Sequence, residues 1–295
     1  MKQYLVDGIR LNFLESHPEK SKAIIFIHGN SHSARTFNQQ IGSTALADYH
    51  LISVDLPGHG ESSRLPQYSL KSFAKSILGL IHELGLEDFI LVGHSLGGHI
   101  CINMLHEDMN QNTKNIKPSG LFIFGTPPLK NPFDPGAFIF DASSTAIGQL
   151  HPTDEVISKF ADDMNYQGDQ KRIAVEDFNK SDFVFRETIL DDILSGTHFD
   201  EISLVNFFDG SIKFLLATKE SLINNNYIRN ELLSYNDRLS IEEISAGHSP
   251  HIENSKEFNL ILEKFCNETF EKKITYSTIN DLNKLEMQKK GVKHE

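Results

Sequence analysis

Short, continuous runs of apolar residues recur along the chain and alternate with longer segments whose apolar positions repeat every three or four residues. The short runs have the composition of strands buried on both faces, and the longer segments have the period of amphipathic helices. Six of the runs are predicted as strands: Ala23–Ile27, Leu51–Val54, Phe89–Val92, Leu121–Phe124, Lys213–Leu216 and Leu239–Ile244. Strands that alternate with helices in this way predict an α/β fold with a mostly parallel sheet.

Turn and capping residues add further elements to this pattern. The Asp7-Gly8 pair is a strong hairpin signal, and it predicts a strand on each side, Tyr4–Val6 and Ile9–Leu14. Ser69 is the predicted N-cap of an amphipathic helix that ends at Gly85. Other helices are predicted at Leu96–His106, Ile223–Leu233 and Ser255–Phe270.

The segment from 129 to 206 interrupts the alternation with consecutive helical patterns at Asp154–Asn165, Lys171–Asn179 and Phe183–Leu194. We expect a helical cap at 129–206, inserted into a core made of residues 1–128 and 207–275. Eight of the 21 phenylalanines fall in the cap, where they either line a pocket or build a small core of its own. The polar, lysine-rich stretch 276–295 is predicted to be a tail without an assigned function.

Composition narrows the possible partners. The chain has 295 residues, 39% of them hydrophobic, which is enough to bury a substantial core. A net charge of −12 disfavours nucleic acid and anionic membranes as partners. Two cysteines, Cys101 and Cys266, are too few for a disulfide framework and are expected to be buried, reduced thiols. The first residues lack the apolar run of a signal peptide, and cytoplasmic residence is the default expectation.

The strongest chemical signal is Gly93-His94-Ser95-Leu96-Gly97-Gly98, which lies between a predicted strand and a predicted helix. A G-x-S-x-G sequence in that position is typical of a nucleophile elbow, a sharp turn that lifts a serine hydroxyl above the sheet. The glycines are needed because the backbone approaches closely on both sides of the turn. Ser95 is therefore the candidate nucleophile.

A serine hydroxyl needs a general base, and His248 follows the last predicted strand in Ala246-Gly247-His248-Ser249-Pro250-His251. A loop at that point lies at the carboxyl edge of the sheet, where the elbow requires its base. His251 is the competing candidate. It begins the approach to the final helix, which favours a structural role.

The base in turn needs an acidic partner, which in elbow hydrolases lies between the serine and the histidine in chain order. Glu220 is the favoured candidate because it follows the predicted strand Lys213–Leu216, whereas Asp209 precedes that strand. Asp134, after the preceding strand, is the alternative. Either carboxylate could instead be a solvated loop charge.

Acyl transfer also needs hydrogen-bond donors for an oxyanion. The backbone N–H of Leu96 is one candidate, and the N–H of Asn30, in His28-Gly29-Asn30-Ser31-His32 after the third strand, is the other. His28 and His32 are expected to be loop scaffolding or exposed, and His99 at most to line the site or support it. No metal or cofactor is expected, because the zinc and nucleotide motifs are missing from the sequence.

Together, His28-Gly29-Asn30, the Asp55–Ser62 segment, the Ser95 elbow and Gly247-His248 resemble the α/β-hydrolase superfamily over about Leu5 to Phe270, the cap excepted. That resemblance implies a mostly parallel, eight-stranded sheet, a lid and no cofactor. An Asp nucleophile would suggest epoxide hydrolases or dehalogenases, and Ser95 argues against both.

A narrower resemblance is to the metal-independent N-acyl-homoserine-lactone lactonases of this fold. It rests on Asn30, the run Ser95–Ile100, the Gly125-Thr126-Pro127-Pro128 turn and a glutamate as the acid. It implies a Ser95–Glu220–His248 triad, an Asn30 and Leu96 oxyanion hole, and hydrolysis of a small ester or lactone. The alternatives are a carboxylesterase for short acyl esters and a ligand-sensing receptor of the same fold.

Overall fold

A computed structural model describes residues 1–110, 117–139, 149, 151–195, 199–232 and 238–272. Within these ranges the strands are β1 (Lys2–Val6), β2 (Ile9–Ser16), β3 (Lys22–Ile27), β4 (His50–Val54), β5 (Asp88–His94), β6 (Gly120–Phe124), β7 (Ser211–Ala217) and β8 (Leu239–Ile244). Outside the insertion between β6 and β7, the helices are α1 (Asn38–Ile41), α2 (Leu70–Glu83), α3 (Leu96–Asn110), α8 (Asn225–Leu232), α9 (Pro250–Glu253) and α10 (255–272). Within the insertion, they are α4 (Asp154–Asp163), α5 (Gly168–Lys180), α6 (Phe183–Leu194) and α7 (Glu201–Phe207).

The described strands form one eight-stranded sheet in the order β1-β2-β4-β3-β5-β6-β7-β8. The β1–β2 and β2–β4 pairs are antiparallel, and every pair from β4 through β3 to β8 is parallel. This is the α/β-hydrolase fold, as predicted. The chain order reverses between β3 and β5, and such a switch point is where open α/β sheets bind ligands.

Apolar packing covers both faces of the sheet, which explains why its central strands are continuous apolar runs. On β3, Ile25 and Ile27 belong to the core that includes α2 and α3, whereas Ile24 and Phe26 pack on the opposite face with α10. Ile25 pairs with Leu91 and Phe26 with Val92 of β5, so the two central strands are in register. Cys101 and Cys266 are buried, unpaired thiols, as predicted.

The local signals read from the sequence have clear structural counterparts. Asp7 and Gly8 both have positive φ, at 49° and 83°, as the tight β1–β2 hairpin requires. Ser69 caps α2 through a reciprocal capping box with Ser72. Gly85, at φ 64°, ends the helix in the left-handed conformation.

The helical insertion contacts the loops at the carboxyl edge of the sheet. The backbone N–H of Asp182 donates to Gly58 O at 2.8 Å, and Tyr68 Oη donates to the Asp182 carboxylate at 2.8 Å. Phe185 of α6 packs edge-on against Tyr68 and Phe73, with ring centroids 5.9 Å from each. This phenylalanine belongs to the shared apolar core of the insertion and α2. The division into a core and a cap at 129–206 stays a prediction, and the tail from 276 lies outside the described residues.

Candidate active site

Ser95 occupies a strained turn between β5 and α3. Its φ is 51°, a left-handed value that a non-glycine residue adopts only where its surroundings enforce it. Its N–H donates to Phe124 O at 3.0 Å, and its carbonyl accepts from Gly98 N at 2.9 Å and from Thr126 Oγ1 at 2.8 Å. The backbone of the half-buried serine is therefore held by hydrogen bonds to the end of β6, to Thr126 just beyond it and to the first turn of α3.

Glycines make this turn possible, as the sequence pattern predicted. A Cβ on Gly97 would lie 2.1 Å from the Ile27 carbonyl oxygen, and one on Gly93 would lie 2.6 Å from Gly98 Cα. Neither clash involves a side chain that can rotate away. The backbone can cross this closely only where there is no Cβ.

His248 follows β8, and its Nδ1 lies 3.0 Å from each carboxylate oxygen of Glu220. With Nδ1–H donating to the carboxylate, the Nε2 atom is left as the basic position of the ring. The side chains are 6% and 2% exposed for His248 and Glu220 respectively, so the pair is shielded from water. The structure thus brings together the predicted base and the favoured acid.

Glu220 is held as a carboxylate by its neighbours. Its Oε1 accepts the backbone N–H groups of Ser221 and Leu222 at 2.9 Å each. Burial by itself raises the pKa of this carboxyl. The attraction of His248 and these hydrogen bonds outweigh burial and hold the pKa below its usual value. At neutral pH the group is therefore an anion that orients the imidazole.

His94 connects the serine loop to the histidine loop. Its Nε2 lies 3.0 Å from the backbone oxygen of His248, so the ring donates there, and the two imidazole centroids are 5.0 Å apart. Burial, together with His251 and His248, lowers the pKa of His94 well below its usual value and keeps the ring neutral. A Cβ on Gly125 would lie 3.0 Å from His248 Cε1, so the turn after β6 also packs against the base.

Within the described residues, no hydrogen bond joins Ser95 Oγ to the His248 ring. Catalytic hydrogen bonds are often long without substrate and tighten when it binds. The loops that carry Ser95 and His248 are nevertheless fixed to each other through His94.

The loop after β3 packs against the serine from the other side, and residues 28–33 are called the oxyanion loop below. A Cβ on Gly29 would lie 3.2 Å from Ser95 Cβ. Asn30 is half-buried and Leu96 is the first residue of α3. Leu96 therefore follows Ser95 directly in the chain, and Asn30 follows Gly29, the residue that packs against Ser95.

The remaining candidates take structural positions. Both ring nitrogens of the buried His251 lack a partner among the described residues, and its ring packs 4.7 Å from Phe37. Asp134 caps a short turn by accepting Gly136 N–H at 2.9 Å, while the His248 ring contacts Glu220 instead. Asp209 is exposed and precedes β7.

Two further buried histidines, His28 and His99, hold neighbouring elements in place. His28 is scaffolding rather than exposed, because its Nε2 accepts the Leu56 N–H at 3.1 Å. His99 supports α3, because its Nδ1 donates to the buried Glu201 of α7 at 2.8 Å. In the part of the chain that the structure describes, no group of three or more His, Cys, Asp or Glu side chains is arranged to hold a metal, and no helix is long and apolar enough to cross a membrane.

Sequence reasoning missed three insertion side chains that reach the oxyanion loop: Arg186, Tyr166 and Asp177. No motif marks them, because each is a single polar residue within or between ordinary amphipathic helices. Their partners are more than 130 residues earlier in the chain.

A strained serine turn at the carboxyl edge of a parallel sheet, with a histidine–carboxylate pair on neighbouring loops, defines a class of hydrolytic enzymes. The family model described as the alpha/beta hydrolase family matches residues 24–259. The chain belongs to this family.

Curated relatives match over part of the chain. A bifunctional epoxide hydrolase 2 from Sus scrofa is 34% identical over 100 residues, which are 33% of this chain and 18% of that protein. An uncharacterised hydrolase, YugF, from Bacillus subtilis is 31% identical over 106 residues, 35% of this chain and 38% of the relative. The matches thus span well under half of each relative.

Solved structures match over nearly the whole chain. The N-acyl homoserine lactonase AidH, complexed with N-butanoyl homoserine, has a TM-score of 0.80 at 24% identity and covers 91% of this chain and 96% of its own. An esterase from Rhodococcus sp. ECU1013 has a TM-score of 0.70 at 17% identity, with 90% and 97% covered. At these identities the likeness establishes the fold.

Proposed function

We propose that this chain is a serine hydrolase that cleaves a small carboxylic ester or lactone through an acyl-Ser95 intermediate. The observation that carries the proposal is the shielded contact of His248 Nδ1 with both oxygens of Glu220, at 3.0 Å each, on loops joined to the strained Ser95 turn. A buried carboxylate that pairs with a histidine at this edge of the sheet orients the imidazole, so that the ring can take a proton from a hydroxyl.

In the first half of the reaction, His248 Nε2 takes the proton of Ser95 Oγ as that oxygen attacks the substrate carbonyl carbon. The carbonyl oxygen becomes an oxyanion and accepts the backbone N–H groups of Leu96 and Asn30. Glu220 stabilises the imidazolium that forms. Collapse of the tetrahedral intermediate breaks the bond to the leaving oxygen, which takes the proton back from His248.

In the second half, His248 removes a proton from water, and the resulting hydroxide attacks the acyl-Ser95 carbonyl. The same two N–H groups hold the second oxyanion. Its collapse releases the carboxylic acid, and Ser95 Oγ regains a proton from His248. For a lactone the leaving hydroxyl stays attached to the acyl group, so the product is a single hydroxy acid.

The substrate class that we favour is an N-acyl-homoserine lactone. Support comes from the near-complete structural likeness to AidH and from the combination of Asn30 in the oxyanion loop with a glutamate as the acid. The epoxide hydrolase relatives suggest a different chemistry, but the elbow of this chain carries a serine.

A general carboxylesterase is the second candidate, supported by the likeness to the esterase from Rhodococcus. The same catalytic residues would serve either substrate, because the tetrahedral intermediates are alike. A ligand-sensing receptor of the same fold would bind substrate without sustained turnover.

The deciding experiment measures N-acyl-homoserine-lactone hydrolysis over a series of acyl lengths, beside a p-nitrophenyl ester series, with EDTA throughout. We expect EDTA-resistant ring opening that Ser95→Ala abolishes, whereas Ser195→Ala, an exposed serine at the end of α6, retains it. Ester cleavage without lactone turnover would replace the lactonase proposal by the esterase one. No turnover of either series would contradict the serine-hydrolase proposal.

A further inference from the structure

Three consecutive residues of the oxyanion loop are each hydrogen-bonded to a different side chain of the helical insertion. The pairs are Ser31 Oγ with Arg186 Nε at 3.2 Å, His32 Nε2 with Tyr166 Oη at 2.9 Å, and Ser33 Oγ with Asp177 Oδ2 at 2.5 Å. All these groups belong to residues that are at most 5% exposed. The insertion therefore holds the loop through polar contacts from which water is excluded.

The contact with Ser31 reaches Asn30, the predicted oxyanion donor. Ser31 Oγ–H donates to Asn30 Oδ1 at 2.6 Å, and the same oxygen accepts Arg186 Nε–H. Because a serine hydroxyl has one proton, the Arg186 donor leaves Ser31 free to donate only toward Asn30. The hydrogen bonds from Arg186 to Ser31 and from Ser31 to Asn30 thus fix the amide oxygen of Asn30. The N–H groups of Asn30 are left as the donors that can face a substrate.

Arg186 is an unusual residue to bury at this point. It is 5% exposed, its guanidinium lies 4.3 Å from the centroid of the Phe178 ring, and it donates to Phe178 O and Ser181 Oγ at 2.7 and 2.6 Å. Burial lowers the pKa of Arg186 to about 10, so it is still a cation at neutral pH. A buried cation is a costly way to fill a core, and its hydrogen bonds to defined partners favour a positioning role.

The backbone strain is consistent with this role. Ser31 has φ 58°, a left-handed value that its neighbours must enforce. Ser31 is fully buried, and its hydroxyl is the atom on which the Arg186 and Asn30 contacts converge. Loss of that hydroxyl would leave the strained Ser31 backbone without the two side-chain contacts that converge on it.

We propose that Ser31 and Arg186 are positioning residues for Asn30, and that the docked insertion thereby sets the geometry of the oxyanion hole. The inference rests on the proposed function, because an oxyanion forms only if Ser95 attacks a carbonyl. Tyr166 and Asp177 hold the same loop through their hydrogen bonds to His32 and Ser33. Transition-state stabilisation in the core thus depends on side chains supplied by the insertion.

The test compares Ser31→Ala, Arg186→Met and the double variant in steady-state hydrolysis of a p-nitrophenyl ester. Removing an oxyanion donor costs roughly 100-fold or more in kcat, so a displaced donor is expected to cost about tenfold. KM should change less than about twofold, because the oxyanion is absent from the ground state. The double variant should lose no more than the more impaired of the two single variants, since both residues act through one hydrogen-bond path.

Arg172→Met is the matched control, because Arg172 is an exposed arginine of α5 paired with Asp169 and Glu176. Its kcat should equal that of the wild type. Ser31→Ala removes a single oxygen atom and carries the test even if Arg186→Met fails to fold, and circular dichroism separates the two cases.

An active wild type with an unchanged kcat in folded Ser31→Ala would overturn this inference and leave the serine-hydrolase proposal standing. Equal losses in kcat for Ser31→Ala and Arg172→Met would overturn it as well, because the loss of activity would then not depend on the contact with Asn30. A wild type that turns over neither the p-nitrophenyl esters nor the lactones would overturn both proposals together, and a wild type active only on lactones moves the same comparison of variants to lactone hydrolysis.

Discussion

Glu220 is a residue whose charge and shape can be separated by substitution. In Glu220→Gln the amide oxygen can still accept the N–H groups of Ser221 and Leu222 at the Oε1 position, and the amide NH₂ then stands at the Oε2 position, 3.0 Å from His248 Nδ1. That contact favours the tautomer with the proton on Nε2, which cannot accept the serine proton. We expect kcat to fall roughly a thousandfold or more with little change in KM, measured in steady-state ester hydrolysis.

Glu243→Gln is the control for that change, because Glu243 is an exposed β8 glutamate paired with Arg229. Its kcat should stay at the wild-type value. A Glu220→Gln enzyme within threefold of wild type would remove Glu220 from the triad.

His251, unlike Glu220, has no role in the proposed reaction, although its imidazole is buried beside the site. It is fully buried, both ring nitrogens lack partners among the described residues, and the ring packs 4.7 Å from Phe37 and 5.1 Å from Phe124. His251→Phe replaces two unsatisfied polar atoms by carbon in an aromatic environment. We expect the free energy of unfolding in urea to rise by about 1 kcal/mol, with kcat unchanged.

The outcome for His251→Phe also bears on which histidine is the base. A large loss of activity in a stable variant would return His251 to the list of candidates. A destabilised but active variant would mean instead that the larger ring does not fit.

At the scale of elements, the sheet could be predicted from sequence because its strands are buried on both faces. Leu239–Ile244 was predicted with its observed bounds, and the Ser69 cap and Gly85 stop of α2 were read directly from residue type. The helix Glu201–Phe207 was missed, since seven residues are too few to reveal a helical period. The one-turn helix Pro250–Glu253 was missed for the same reason.

The residues of the candidate site likewise fall into those that a sequence pattern predicts and those that only the folded structure brings together. Ser95, His248 and Glu220 can be proposed from the sequence because the elbow, the chain order and the strand ends constrain where such residues lie. The contacts of Arg186 and Tyr166 with the oxyanion loop join positions 155 and 134 residues apart, and no local pattern encodes that distance.

The missed helix α7 gives a prediction at the element scale. Glu201 at its start is fully buried and accepts from His99 Nδ1, Asn103 Nδ2 and Leu129 N at 2.8 to 2.9 Å. It thereby fixes α7 to α3, the helix that follows Ser95. Glu201→Ala removes an acceptor from three buried donors, and only Asn103 Nδ2 keeps another one, at His99 O; we expect the free energy of unfolding in urea to fall by about 3 kcal/mol or more.

Glu231→Ala is the comparison for Glu201→Ala, because Glu231 is a partly exposed α8 glutamate that pairs with Lys130. That pair is at the surface, and its loss should change the free energy of unfolding by less than about 1 kcal/mol. Equal effects of the two substitutions would mean that the Glu201 cluster does not hold the helices together.

At the scale of the whole molecule, the carboxyl edge of the sheet is dense in buried histidines. Five described histidines have a pKa lowered from the usual value chiefly by burial, His32 to about 3: His28, His32, His59, His94 and His251. They lie at the end of β5 and in the segments after β3, β4 and β8, where His28 packs against His59, and His94 packs against both His32 and His251.

These histidines make the folded state sensitive to mild acid. In the unfolded chain each takes up a proton near pH 6.5, whereas the folded rings stay neutral, so their stabilising effect is complete above that pH and is lost as pH falls. His32, whose folded pKa is about 3, removes about 1.4 kcal/mol from the free energy of unfolding between pH 7.5 and 5.5, and the lowered pKa values of the other four rings act in the same direction. Urea unfolding at these two pH values should therefore show a loss of several kcal/mol in the free energy of unfolding.

His251→Phe should reduce that loss by the contribution of one buried histidine, whereas His82→Gln, at an exposed position of α2, should leave the loss unchanged. A stability that is flat over this interval would mean that the buried rings are protonated in the folded protein.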